Sequence, residues 1–169
     1  MKVIKRILSV ISAGTVLLTL PGCGRISRAI DAFNWEIKAK EVATESADII
    51  LDCFKTGNSE KLEALFCKNV SSSHDLKAEI EMAMKFIEGN IIDDGTRIGM
   101  SSGAESVDNG VMTTLSIHPS IWDIKTDDGK QYDISFTSYL IYEKNPEYVG
   151  MTRIEIHCGN NSSMIGEVT

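Results

Sequence analysis

Side chains that could do catalytic chemistry are few in this sequence, and they do not form a known catalytic pattern. The three histidines, His74, His118 and His157, stand far apart in the chain. Residues 71–73 are serines that could supply a nucleophile, but serines before a helix are explained by N-capping. The sequence contains no GxSxG, HExxH or phosphate-binding glycine motif. We therefore predict no catalytic residue, no metal site and no cofactor.

Large and polar side chains that could line a ligand pocket are present in the strand-forming half of the chain. A curved sheet wrapped over a long helix can leave an apolar pocket with a few polar groups. Tyr139 shares a strand face with Thr137, and Arg153 shares one with Glu155. Both therefore have polar neighbours along their strands. The residues predicted to line such a pocket are Trp35, Trp122, Tyr139 and Arg153.

The four cysteines divide into one near the amino terminus and three in the body of the chain. Cys53 and Cys67 lie near the ends of consecutive predicted helices, and a bridge between them would close a loop of about 15 residues. The other interpretation is that Cys53, Cys67 and Cys158 are small buried apolar side chains, as free cysteines usually are. Both interpretations remain open at this point. Cys23 has a different predicted role.

The first 22 residues have the pattern of an export signal. A basic start, Lys2 to Arg6, precedes 14 uncharged residues from Ile7 to Leu20. As a helix this segment would be about 21 Å long, which is too short for a bilayer core of about 30 Å. The segment Leu20-Pro21-Gly22-Cys23 resembles the lipobox of bacterial lipoproteins, in which the cysteine thiol receives diacylglycerol. This resemblance implies lipidation at Cys23 and attachment to the outer face of the cell membrane.

Charge limits the partners that the mature chain can bind. The leader holds three of the 17 basic residues and none of the 24 acidic ones, which leaves a net charge of −10. An acidic protein is repelled by nucleic acid and by anionic lipid headgroups. We therefore expect no nucleic-acid binding, and membrane contact only through the lipid on Cys23.

Apolar periodicity predicts three helices in the first half of the mature chain. The first is long and amphipathic, from Ser27 to Phe54, and Gly57 follows it in the position of a helix-ending glycine. The second is short and is capped by Asn58 or Ser59. The third begins with a serine cap at position 72 or 73 and ends near Gly89.

After Gly89 the period changes from helical to alternating. The segments around residues 111–117, 132–142 and 149–157 are rich in β-branched and aromatic residues. Asp128-Gly129 supplies the turn residues of a hairpin. Alternation places Tyr132 and Tyr142 together on the apolar face. Helices followed by hairpin-linked strands predict an α+β fold with an antiparallel sheet covered by helices on one face.

Several segments are similar to an uncharacterised family of small Firmicute lipoproteins with a nuclear-transport-factor-like, or cystatin-like, cone fold. The resemblance covers about residues 31–157 and is carried by Phe33-Asn-Trp-Glu-Ile-Lys-Ala-Lys40, Leu62-Glu-Ala-Leu-Phe66, Asp75-Leu-Lys-Ala-Glu-Ile80 with Phe86 and Gly89, and Ile124-Lys-Thr-Asp127 with Gly129. It implies three helices on a curved antiparallel sheet, a lipid anchor and a Gram-positive surface. It implies no activity, because the family has none assigned.

The predicted organisation has four parts: a signal peptide at 1–22, a lipidated tether at 23–30, one α+β domain at 31–158 and a loose tail at 159–169. Two functions fit this organisation. The first is a surface lipoprotein that binds a small ligand or an envelope protein. The second is a pocket enzyme of the lyase or isomerase kind, which would need a titratable group positioned in a cavity. We favour the first, because the sequence places no such group.

Overall fold

The computed structural model describes the backbone of residues 23–167, and side chains for 35–97 and 103–167. The predicted signal peptide, 1–22, lies outside the described residues. Helix α1 spans Cys23–Thr56, which confirms the long first helix, and it includes residues 23–30, the predicted tether. The chain divides within this helix into two compact units, residues 1–38 and 39–169, so the second unit begins eight residues after the predicted domain boundary.

Three shorter helices follow in the second unit: α2, Ser59–Glu63, α3, Lys68–Ser73, and α4, Leu76–Phe86. Asn58 caps α2 by accepting a hydrogen bond from the backbone N–H of Lys61. The predicted serine cap of the last helix is wrong. Asp75 caps α4 by accepting from the N–H of Ala78, while the three serines form part of α3 and bond to carbonyls three and four residues back.

Six strands form one sheet in the described residues. They are β1, Ile91–Asp93, β2, Thr96–Asp108, β3, Val111–Thr126, β4, Gln131–Tyr142, β5, Gly150–Cys158, and β6, Asn161–Ile165. All pairings are antiparallel, in the order β1-β3-β4-β5-β6, with β2 beside β1 on the same edge of β3. A short 3₁₀ helix, Pro146–Tyr148, links β4 to β5. Gly129, with φ of +83°, turns the β3–β4 hairpin as predicted.

The core lies between the helices and one face of the sheet. Strand residues that point to the helices are almost fully buried, and they alternate with half-exposed residues that point away. The buried set includes Ile121, Ile124, Tyr132, Ile134, Phe136, Ile154 and Ile156 from the sheet and Ile50, Leu62, Val70, Leu76 and Ile80 from the helices. The α+β prediction, with helices on one face of an antiparallel sheet, is therefore confirmed.

The carboxyl-terminal segment corrects another prediction. Residues 159–169 were expected to form a loose tail, but β6 pairs with β5 and its Ile165 is fully buried. His74 and Glu79 hold the end of this strand. Glu79 accepts a hydrogen bond from the N–H of Gly166 at 2.7 Å, and the His74 ring contacts Glu79 through Nδ1 at 3.0 Å and the Glu167 carbonyl through Nε2 at 2.8 Å.

This arrangement predicts a pH dependence of stability. Both partners of the His74 ring are oxygens, so the protonated ring can donate to both of them, and the hydrogen bond with Glu79 raises the pKa of His74 despite some burial. A raised pKa stabilises the fold below the unfolded value of about 6.5, and this contribution is lost as pH rises through the folded value. We expect the difference in unfolding free energy between wild type and His74→Gln to shrink as pH rises through the folded-state pKa of His74. Urea titrations at a series of pH values measure this difference. A difference that grows with pH would contradict the arrangement, and Glu79→Gln should abolish the dependence.

Candidate functional site

The face of the sheet that points away from the helices, here called the outer face, carries most of the polar strand residues. Along β5, buried Ile154 and Ile156 alternate with half-exposed Arg153, Glu155 and His157. Strands β3 and β4 alternate in the same way, because each has one set of side chains in the core. The outer-face residues of these two strands include His118, Ser120, Ser135 and Thr137.

Five of these side chains form a continuous line across three strands, here called the polar row: His118, Thr137, Arg153, Glu155 and His157. His118 Nδ1 and Thr137 Oγ1 are 2.9 Å apart, and Thr137 is the register partner of Arg153. Glu155 lies between its two neighbours on β5, 3.7 Å from an Arg153 nitrogen and 3.3 Å from His157 Nε2. The row therefore presents cationic, anionic and neutral hydrogen-bonding groups side by side.

The electrostatics of the row keep it close to neutral. Arg153 and Glu155 carry opposite charges. Burial, and then the nearby positive charge of Arg153, hold the pKa of His118 below its usual value. Since both effects disfavour the imidazolium, His118 is an uncharged donor and acceptor at neutral pH.

Three half-buried tyrosines lie at one end of the outer face. Tyr139 and Tyr142 stack with ring centroids 5.0 Å apart, and Tyr148 of the 3₁₀ helix meets Tyr142 edge-on at 5.7 Å. We call Tyr139, Tyr142 and Tyr148 the tyrosine cluster. The cluster adjoins the polar row, because Tyr139 is two residues from Thr137 on β4.

A bulge in β4 corrects the predicted position of Tyr142. Strict alternation put Tyr142 on the apolar face with Tyr132. In the structure Tyr139 pairs with Ser116 and Ile141 with Leu115, so Leu140 is an extra residue. One inserted residue reverses the alternation beyond it, which brings Tyr142 to the same face as Tyr139. Tyr132 lies before the bulge and is buried, as predicted.

The structure brings two of the four residues predicted to line a pocket close together. Arg153 and Tyr139 lie close together on the outer face, in the polar row and the tyrosine cluster. Trp122 is half exposed on the same face, but it is six residues along β3 from the partner of Tyr139, about 20 Å away. Trp35 belongs to the first compact unit, where Lys38 lies over its ring at 5.0 Å.

Sequence reasoning missed several members of the site as functional candidates, including His118, Thr137, His157 and Tyr148. The strand predicted around residues 111–117 stops short of His118, but β3 continues to Thr126. The hydrogen bond between His118 and Thr137 depends on the register between β3 and β4, and two bulges shift that register. The sequence alone shows only that polar residues alternate with apolar ones in each strand.

The three cysteines with described side chains are free thiols. Cys53 and Cys67 are fully buried, and Cys158 is half buried. Burial raises the pKa of the Cys53 thiol, so it is poorly reactive. Their positions match the interpretation as small buried side chains. Among the described residues, no group of three or more histidine, cysteine and acidic side chains could hold a metal ion.

The fold and the outer face define a class: a small α+β domain with helices on one face of an antiparallel sheet and a polar, aromatic surface on the other. The chain belongs to the family described as "Domain of unknown function (DUF5104)", whose model matches residues 49–164, more than two thirds of the chain. No curated protein matches it. Within the described residues, no helix is both long and apolar enough to cross a membrane.

Proposed function

We propose that this protein is a surface lipoprotein of a Gram-positive bacterium, attached through diacylglycerol on Cys23, whose domain binds a ligand or an envelope protein at the outer face. The anchor is supported by the leader and lipobox-like sequence at residues 1–23. Two acyl chains are sufficient for stable membrane attachment, at about 0.8 kcal/mol for each buried CH₂. The resemblance to cone-fold lipoproteins supports the same proposal.

The observation that carries the binding role is the contrast between the two faces of the sheet. The helices occupy the inner face, where they bury the core. The outer face holds the polar row and the tyrosine cluster, in which rigid rings adjoin an Arg–Glu–His line. Aromatic and arginine side chains contribute most of the energy of typical binding surfaces. The outer face therefore has the composition of a binding surface.

Replacing Cys23 by alanine should abolish lipid attachment. The thiol is the group that would receive diacylglycerol, so the variant should take up no alkyne fatty acid and should leave the membrane fraction. Labelling of whole cells, followed by fractionation, measures both effects. Cys158→Ala is the matched control, because it removes a half-buried thiol far along the chain. Wild type without label would refute the anchor.

Replacing Arg153 by alanine should weaken binding more than folding. Its side chain is 41% exposed and its ion pair with Glu155 is long, so its removal should cost less than about 1 kcal/mol of stability. Native mass spectrometry of the protein purified from envelope extract should show a bound species in wild type that the variant loses. The exposed Met82 on α4 offers a control, Met82→Ala. A species retained by Arg153→Ala would exclude the outer face.

A further inference from the structure

The outer face combines rings with groups that both donate and accept hydrogen bonds, and these features together point to one class of ligand. Stacking at 5.0 Å and the edge contact at 5.7 Å fix the three tyrosine rings before any ligand arrives. Each tyrosine is half buried, so part of the residue remains open to solvent. Rings that are already ordered lose little conformational entropy on binding. A flat ligand with C–H groups on its face suits such a surface.

The polar row adds the second requirement. Arginine only donates hydrogen bonds, ionised glutamate only accepts them, and threonine and neutral histidine do both. The separation of 3.7 Å between Arg153 and Glu155 exceeds hydrogen-bond length, so their pairing leaves capacity on both groups. Adjacent hydroxyl groups, each a donor and an acceptor, match this set.

The charges of the outer face and of the whole mature chain favour an uncharged ligand. The charges of Arg153 and Glu155 cancel, so the row offers no net attraction to an anion or a cation. The mature chain carries a net charge of −10, which repels polyanions at longer range. An uncharged ligand needs no net charge on the polar row and is not repelled by the acidic chain.

We infer that the outer face binds an uncharged oligosaccharide, with sugar rings on the tyrosine cluster and hydroxyl groups on the polar row. This inference rests on the proposed binding role of the outer face and specifies its ligand class. A sugar presents C–H groups on its ring faces and hydroxyls at its edges. Tyr139 is the central contact, because it belongs to the tyrosine cluster and adjoins Thr137 of the polar row.

The test is calorimetric titration of the mature full-length protein in detergent micelles. The probes are neutral hexasaccharides of glucose, mannose and N-acetylglucosamine, a hexamer of galacturonic acid, and an end-blocked hexa-alanine peptide. We expect at least one neutral hexasaccharide to bind, and to bind at least about tenfold more tightly than the galacturonate hexamer. Tyr139→Ala and Glu155→Gln should each weaken it about tenfold. Tyr139→Phe, which keeps the ring, should weaken binding less than Tyr139→Ala does, and the exposed Ile92→Ala should change it less than about twofold.

Each other outcome overturns the inference. Failure of all three neutral hexasaccharides to bind, or equal binding by Tyr139→Ala with an unchanged melting temperature, excludes a sugar on the tyrosine cluster. Preference for the peptide means that the ligand class is wrong. The mass-spectrometric comparison with Arg153→Ala distinguishes failure of the sugar inference from failure of the proposed binding role. If the sugar probes fail but Arg153→Ala still loses a bound species, the outer face binds a ligand of another class.

Discussion

Replacing Tyr132 by alanine should lower the free energy of unfolding by about 3–5 kcal/mol, the usual cost of deleting a buried aromatic side chain. Tyr132 is 1% exposed and packs edge-on against Phe86, with ring centroids 6.1 Å apart. Its hydroxyl accepts a hydrogen bond from the N–H of Glu88 at 2.9 Å and donates to the Phe86 carbonyl at 3.3 Å. The side chain therefore joins β4 to the end of α4.

Tyr132→Phe separates the contribution of the buried ring from that of the hydroxyl hydrogen bonds. It keeps the ring but leaves the Glu88 N–H and the Phe86 carbonyl without the hydroxyl, which should cost about 1–3 kcal/mol. Urea unfolding followed by circular dichroism measures both variants, and an unchanged slope with denaturant would show that the unfolded state is unaffected. Equal losses for the two variants would mean that the ring contributes nothing, contrary to its burial.

The second large effect is expected at Gly95, between β1 and β2. Its φ is +66°, and a Cβ at this position would lie 2.1 Å from the carbonyl oxygen of Trp122 and 2.9 Å from the nitrogen of Ile124. Both contacts are backbone atoms, which cannot move aside as a flexible side chain can. Gly95→Ala should therefore combine about 1–2 kcal/mol of left-handed strain with a further 1–3 kcal/mol for the overlap.

Gly129→Ala is the matched control for this variant. Its φ of +83° imposes similar strain, but no heavy atom lies within 4 Å of the added methyl group. Thermal melts should therefore show a small shift for Gly129→Ala and one at least about twice as large for Gly95→Ala. Equal shifts would show that β1 and β3 separate readily at this point, and that the close approach at Trp122 is not required.

Much of this fold was predictable because it follows from local sequence. Helix α1 has apolar residues at helical spacing, Asn58 is a good N-cap, and Asp128-Gly129 favours a tight hairpin. These features act within a few residues of the chain, and the change from helical to alternating period is sufficient to predict α+β. The leader and Cys23 likewise remain predictions of the sequence alone.

Tertiary structure decided what depends on contacts between distant segments. The tail became β6 because Ile165 fills the core and the strand end is held by His74, at the end of α3, and by Glu79 of α4. Tyr142 reached the outer face because one extra residue, Leu140, reverses the alternation of β4. A bulge is set by pairing with a neighbouring strand, so the sequence of β4 alone does not determine it. The polar row exists for the same reason, since only the register between strands brings His118, Thr137 and Arg153 into one line.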